Sequence, residues 1–182
     1  MEVVTGMANQ GWSDVLASAA AGNEYAFRRI IAEHHEDMRR VCFAIARDHG
    51  VAEDATQAAW LIAWRKLGNV RDATHLRPWL VSVAANEAKR LLKKRRRRAE
   101  VEVRGDVAGE PGSVDPETGI ASFDLRVAML RLDPDDRALV AMRYGVGFNS
   151  NELAVATGTT PAAVRQRLKR ALDRLRKDLT DG

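Results

Sequence analysis

Arg165, Gln166, Arg167, Lys169 and Arg170 crowd into six positions near the C-terminal end of the chain. Guanidinium and ammonium groups at that density pair with phosphates, and Arg, Gln and Lys also carry donors that fit base edges in the major groove. Such contacts require a helix whose opposite side is locked onto a domain. The sequence supplies one, because Val164, Leu168, Ala171, Leu175 and Leu179 recur at helical spacing as an apolar stripe. Ala162, Gln166, Lys169, Arg170, Asp173 and Lys177 point away from that stripe, and Arg165 and Arg167 lie on its two flanks. Just upstream, Ser150 is placed to cap a helix over 151–157, Gly158 to end it in the left-handed conformation, Thr160 to cap the next helix and Pro161 to open it. Two helices separated by about three residues, the second one basic, form the outline of a helix-turn-helix. DNA is therefore the first partner to consider. A surface helix with solvated charges is the plainer reading, but capping, turn and charge all agree on the sharper one.

A second polar constellation lies on a helix expected over 74–98. Most of its circumference is apolar, including Leu76, Trp79, Leu80, Val81, Val83, Ala84, Ala85, Ala88 and Leu91, yet Ser82, Asn86, Lys89 and Lys93 line up as one narrow seam. Ser and Asn can hydrogen-bond base edges and the lysines can meet phosphates, which suits a nucleic-acid strand. Trp79 could stack on an unpaired base or simply fill core, and the sequence leaves both readings open. Thr74 is the expected cap, Pro78 falls in the first turn where N–H groups lack partners, and the helix continues into the basic run 93–98.

The elements that must position these faces are helical throughout. A short leading helix is expected over 12–20. Phe27, Ile31, His34, Met38, Val41 and Ile45 then trace a buried stripe up to a break near Gly50, and a third helix over 52–67 ends at Gly68 with Ala55, Ala59, Ile62 and Ala63 small enough for close packing. The expected fold is all-α: an N-terminal helix bundle over 12–98 and a C-terminal helix-turn-helix domain over 121–182, joined by a flexible acidic linker over 99–120.

Charge follows the same division. Residues 1–98 carry 17 basic and 11 acidic groups, 99–120 one and six, and 121–182 eleven and eight. The acidic linker reads as a plain connector before it reads as a mimic of nucleic-acid charge. With 46% hydrophobic and 30% charged residues the chain belongs with ordinary folded proteins. Cys42 is the only cysteine, which excludes an intramolecular disulfide and a cysteine-based zinc site and suits a reducing cytosol. It reads as a buried small hydrophobe. His34 and His35 point about 100° apart on a helix, so no metal is expected there. No signal peptide, apolar run of membrane-spanning length or regulatory domain after Gly182 is apparent, and the expectation is a cytoplasmic protein without direct membrane insertion. Neither a Gly-rich phosphate loop, a nucleophile motif nor a metal-ligand cluster announces an enzyme, and no cofactor is expected.

Three segments carry a family resemblance: AEDATQAAWLIAWRKL (52–67), LRPWLVSVAANEAKRLLKKRRRR (76–98) and LDPDDRALVAMRYGVGFNSNELAVATGTTPAAVRQRLKRALDRLRKDL (132–179). Together and in this order they resemble the two conserved domains of bacterial extracytoplasmic-function sigma factors, group 4. The resemblance implies binding to core RNA polymerase, direction to promoters and opening of the DNA. It implies that Asp54, Gln57 and Leu61 meet the polymerase clamp helices. It places Asn69, Arg71, Trp79, Ser82, Asn86, Lys89 and Lys93 where the family reads and melts the −10 element on the non-template single strand, and Arg165, Gln166, Arg167, Lys169 and Arg170 where it contacts the −35 duplex. Arg167 could serve phosphates or packing instead. An anti-sigma protein is a further partner of the kind the family implies.

Two segments depart from the family pattern. The loop 69–75 has no aromatic residue, so promoter specificity does not transfer, and Val146, Gly147, Phe148 and Asn149 replace the usual polar and aromatic lead-in to the helix-turn-helix. The alternative function is a stand-alone helix-turn-helix regulator, which would ordinarily need a dimer surface to span two half-sites, and 121–182 offers no obvious helix for one. A general RNA-binding protein using 93–98 would instead show sequence-independent binding that falls steeply with salt.

Overall fold

The computed structural model describes the backbone of residues 2–102 and 120–180, and the side chains of 11–99 and 124–180. Residues 103–119 of the expected acidic linker lie outside the described residues. Among those described, the chain is all-α, with helices α1 (Glu2–Ala20), α2 (Glu24–Ala46), α3 (His49–Lys66), α4 (Leu76–Glu102), α5 (Ile120–Arg131), α6 (Pro134–Val140), α7 (Ser150–Thr157) and α8 (Pro161–Thr180).

Helices α2, α3 and α4 form the centre of the N-terminal bundle, with α1 laid against α2. Asn23 starts α2 by accepting from the Tyr25 and Ala26 amides at 3.0 and 3.1 Å. The helix stops where Arg47 takes the left-handed conformation at φ 54° and its amide bonds back to the Phe43 carbonyl. Ile30, His34, Met38, Val41, Cys42 and Ile45 form its buried stripe, so Ile30 takes the fully buried place expected of Ile31, which stays at the margin. On α3 the buried residues are Ala52, Ala55, Thr56, Ala59 and Ala63. Side chains this small let α4 approach with its own Ala84, Ala85 and Ala88. The Cys42 thiol donates to the Ala84 carbonyl at 3.4 Å, and burial pushes its pKa up to about 11, so it stays a neutral packing group as expected.

Several helix starts differ from the sequence expectation, and for α3, α4 and α7 a neighbouring polar side chain is better placed to make the cap. Helix α1 begins at Glu2 rather than near Trp12. Asp48 caps α3 by accepting from the Val51 amide at 2.9 Å, which moves the start three residues earlier. Asp72, not Thr74, opens the 3₁₀ turn Ala73–His75 that leads into α4, binding both the amide and the hydroxyl of Thr74. Asn149, not Ser150, caps α7; it accepts from the amides of Asn151 and Glu152, and Glu152 reaches back to the Asn149 amide.

The C-terminal helices surround a smaller cluster of Ala128, Leu132, Val140, Ala171 and Leu175. Helix α6 runs into a π-type turn, Ala141–Gly145, which together with Gly147 at φ 81° turns the chain so that Phe148 is fully buried. Phe148, Leu139 and Met142 join the same apolar cluster as the α2 and α4 residues, so the two halves share one core.

Arg137 sits at their junction, 1% exposed. Its Nε donates to the Met129 carbonyl at 2.9 Å and Nη2 donates to Leu130 and Leu132 at 2.9 and 3.1 Å. Nη1 donates across the interface to the Ile45 carbonyl at 2.5 Å. These carbonyls lie at the ends of α5 and α2, where helix geometry leaves carbonyls short of intrahelical donors, although Met129 also accepts from the Leu132 amide at 3.3 Å. One guanidinium therefore closes two helix ends from different halves of the chain.

Two expectations follow. Replacing Arg137 by Met keeps the volume but leaves four carbonyls without this donor, and should destabilise the protein by about 3 kcal/mol or more in urea titrations; Arg137→Lys should recover little, since an ammonium cannot span the same set. Loss below about 1 kcal/mol in both variants would contradict this role. His34 is buried beside Trp12, ring centroids 5.5 Å apart, and its Nδ1 has no hydrogen-bond partner among the described residues. Burial, helped by Arg77 and opposed by Glu33 and Asp37, holds its pKa below the ordinary 6.5. The unfolded chain thus binds the proton more readily, and the stability that His34 contributes is present above pH 6.5 and is lost as pH falls through the depressed native value. Thermal melts between pH 7.5 and 5.5 should show a smaller decline for His34→Leu than for the wild type; equal declines would contradict it.

Candidate functional site

The turn between α7 and α8 is built as the sequence indicates. Gly158 adopts φ 65°, Thr160 Oγ1 accepts from the Ala163 amide at 3.2 Å, and Pro161 opens α8. Val164, Ala171 and Leu175 are buried and Leu168 half-buried, which fixes the rotation of α8. Leu179 departs from the expected stripe at 44% exposed, because α8 has by then run past its neighbours.

That rotation leaves Arg165, Gln166, Lys169 and Arg170 exposed. Arg167 differs from them. Its Nε is 2.6 Å from Asp136 Oδ1, and Arg174 Nη2 is 2.5 Å from Oδ2 of the same carboxylate. Asp136 is buried, so both pairs hold α8 onto the start of α6. Of the five expected duplex-contacting residues, four form one open face and Arg167 is committed to a structural pair.

The seam on α4 is also present, and only part of it is open. Asn86 and Lys93 are exposed, whereas Ser82 and Lys89 are partly buried. Ser82 donates its hydroxyl proton to the Trp79 carbonyl at 2.7 Å. Lys89 Nζ is 2.5 Å from Asp135 Oδ1, and that ammonium holds the Asp135 carboxyl below its usual pKa range. Trp79 is half-buried and packs against the main apolar cluster. Asn69 and Arg71 are exposed on the loop that Asp72 orders.

Ser82, Asn86 and Lys89 form one wall of a cavity of about 220 Å³, and Asp135, Thr157 and Arg167 lie on the facing side. Arg77, which the sequence reading did not single out, reinforces this junction. Its Nε is 2.9 Å from Asp37 Oδ2, Nη2 donates to the Val146 carbonyl at 2.9 Å, and its guanidinium lies 4.9 Å from the centre of the Phe148 ring. Nothing in the local sequence distinguishes Arg77 from the other surface arginines; only its partners 40 and 69 positions away do.

Asp54, Gln57 and Leu61 are exposed on one face of α3, away from that junction, with Leu61 63% exposed. Trp64, one helical turn further on, is 40% exposed with its edge against Phe27 and extends the same face. It was missed in the sequence because a tryptophan among alanines reads as core. An apolar residue this open beside an acid and an amide is suited to a protein partner more than to DNA. Among the described residues no cluster of His, Cys, Asp and Glu could hold a metal ion, and no helix is long and apolar enough to cross a membrane.

The sigma-70 region 2 family model matches residues 30–98, and the sigma-70 region 4 model matches 122–175. The chain is 31% identical over 171 residues to a probable RNA polymerase sigma factor, RfaY, of Xanthomonas campestris pv. campestris, a match covering 90% of this chain and 43% of that protein. It thus spans less than half the length of that relative. It is 30% identical over 158 residues to the RNA polymerase sigma factor CarQ of Myxococcus xanthus, covering 86% of this chain and 90% of CarQ. Among solved structures, the sigma factor RpoE from Bartonella quintana, crystallised with the anti-sigma factor NepR, shares the fold with TM-score 0.67 at 21% identity, over 85% of this chain and 96% of that one. Two sigma-70 regions in succession, on the helices that carry the two polar faces, place this chain among the RNA polymerase sigma factors, in the extracytoplasmic-function group 4.

Proposed function

We propose that this chain binds core RNA polymerase and directs it to promoters by reading two separated DNA elements. The observation that carries this reading is the coexistence of two nucleic-acid faces of different chemistry, a basic helix-turn-helix on α8 and a polar seam on α4, within two matched sigma-70 regions. Residues 12–98 serve as the region 2-like unit, 99–120 as the connector and 121–182 as the region 4-like unit.

Within this reading Arg165, Gln166, Lys169 and Arg170 contact the −35 duplex, with Arg167 steadying the helix. Asn69, Arg71, Ser82, Asn86, Lys89 and Lys93 hold the non-template strand of the −10 element, and Trp79 braces that helix from the core side. Asp54, Gln57 and Leu61, extended by Trp64, dock on the polymerase. The chain supplies recognition, while the chemistry of RNA synthesis belongs to the polymerase, and it works in the cytoplasm. An anti-sigma protein is its proposed regulatory partner.

Mixed with bacterial core polymerase and genomic DNA fragments, the protein is expected to form a stable complex and start transcripts at discrete sites. Tight duplex binding with no polymerase complex would instead favour a stand-alone regulator. Arg165→Ala and Lys169→Ala should each weaken −35 binding by the complex, by about 1–3 kcal/mol where a bidentate base contact is lost and less for a phosphate contact. Unchanged affinity in both would remove α8 from the role. Asn86→Ala should leave −35 binding intact and reduce permanganate reactivity of the −10 region, and normal reactivity would exclude Asn86 from strand capture.

A further inference from the structure

Helix α1 lies outside the two matched sigma-70 regions, the first of which begins at residue 30, and none of the faces assigned above lies on it. It is nevertheless built into the molecule. Trp12, Val15, Leu16 and Ala19 recur at helical spacing as one apolar stripe; Leu16 and Ala19 are buried, and Trp12 and Val15 pack half-buried against the main cluster. At Trp12 the stripe is seated on α2, with the His34 ring 5.5 Å away and the Arg29 guanidinium 5.2 Å from the indole centre.

Besides α2, this helix meets the connection between α3 and α4. It packs against both 3₁₀ turns there, Leu67–Asn69 and Ala73–His75, whereas α3 and α4 pack chiefly against the turn that adjoins each. Leu67 is fully buried, and Val70 and Ala73 are half-buried against the cluster that contains Leu16 and Ala19. The turn and side-chain hydrogen bonds of the loop run within it: the Val70 amide donates to Leu67 and the His75 amide to Asp72, both at 3.0 Å, while the Asp72 carboxylate holds the amide and hydroxyl of Thr74. These bonds set the shape of each turn but not its place on the bundle. That place is held by apolar contact, and α1 supplies the largest part of it from outside the flanking helices.

We propose that α1 is a positioning element for −10 recognition: by bracing both turns with the stripe that contains Leu16 and Ala19, it sets where the exposed Asn69 and Arg71 meet the non-template strand. The proposal rests on the functional reading above and adds to it a determinant of specificity that touches no DNA. Base discrimination needs its polar groups held close to one geometry by a packed supporting shell. A loop whose own hydrogen bonds are internal has little other support. When the brace is weakened the loop samples several positions, and the loss falls on contacts to the correct base more than on contacts to a wrong one. Docking through α3 and duplex reading through α8 are made by other elements and do not change.

The test compares open-complex yields, read by permanganate, for the full chain with core polymerase on a promoter from one of its own start sites and on copies carrying single −10 substitutions. Where a substitution costs the wild type about tenfold, it should cost Leu16→Ala less than about threefold, with polymerase affinity and −35 binding unchanged. Leu16→Met should restore the wild-type ratio, and Leu16→Val takes the place of the alanine variant if that one does not fold. Val41→Ala, a buried truncation on α2, should lower stability yet keep the wild-type ratio. In the free chain, hydrogen exchange at the Val70, Thr74 and His75 amides should accelerate in Leu16→Ala more than at Ala84 in α4. Discrimination or loop exchange left unchanged in Leu16→Ala, or an equal loss of discrimination in Val41→Ala, would overturn the proposal while leaving the functional reading intact. Absence of specific transcripts from the wild type, with loop exchange still faster in Leu16→Ala, would instead overturn the functional reading and the −10 role of α1 with it.

Discussion

The buried guanidinium of Arg137 is the interaction on which the arrangement of this chain depends. It has no carboxylate partner among the residues that bond it; four backbone carbonyls, three around the end of α5 and one at the end of α2, share its donors. A buried charge is costly unless every donor is directed. Here the direction is set by two helix termini whose last carbonyls also need donors, so each side satisfies the other. The junction of the halves is therefore specified in orientation, which hydrophobic contact between Phe148, Leu139 and the α4 alanines would leave loose.

Around that point the acidic residues at the start of α6 divide the cations into two kinds. Asp136 takes Arg167 and Arg174, and Asp135 takes Lys89. What remains exposed on α8 is the set Arg165, Gln166, Lys169 and Arg170, and on α4 Asn86 and Lys93. The pairs differ in permanence. Arg167–Asp136 lies within the C-terminal domain on a buried carboxylate, whereas Lys89–Asp135 joins the two halves at a partly exposed position, where solvent screens it. The same acidic helix start thus secures α8 within its own domain and pairs with a lysine of α4.

Local features of this organisation were legible in the sequence, and non-local ones were not. The stripe Val164, Leu168, Ala171 and Leu175 fixed the outward face of α8 correctly because helical periodicity is a local property, and Gly158 marked the turn because its left-handed φ is unfavourable for most residues. Caps were displaced by a residue or two where capping types adjoin, as with Asn149 before Ser150 and Asp72 before Thr74. The seam on α4 was legible, but the pairing of its Lys89 and the junction beside it were not, since Lys89 and Asp135 are 46 positions apart and Arg137 and Ile45 are 92 apart. Trp64 went unnoticed for the opposite reason: composition favours a buried tryptophan, and only the packing of α3 leaves this one at the surface.

The central claim is that the polar seam of α4 meets the non-template −10 strand while the basic face of α8 meets the −35 duplex. A photo-crosslinking amino acid placed at Asn86, followed through the free protein and then through the polymerase–promoter open complex, examines it directly. The account predicts that crosslinks to the non-template −10 strand appear in the open complex. Crosslinks that remain within the protein in a transcribing complex would contradict it.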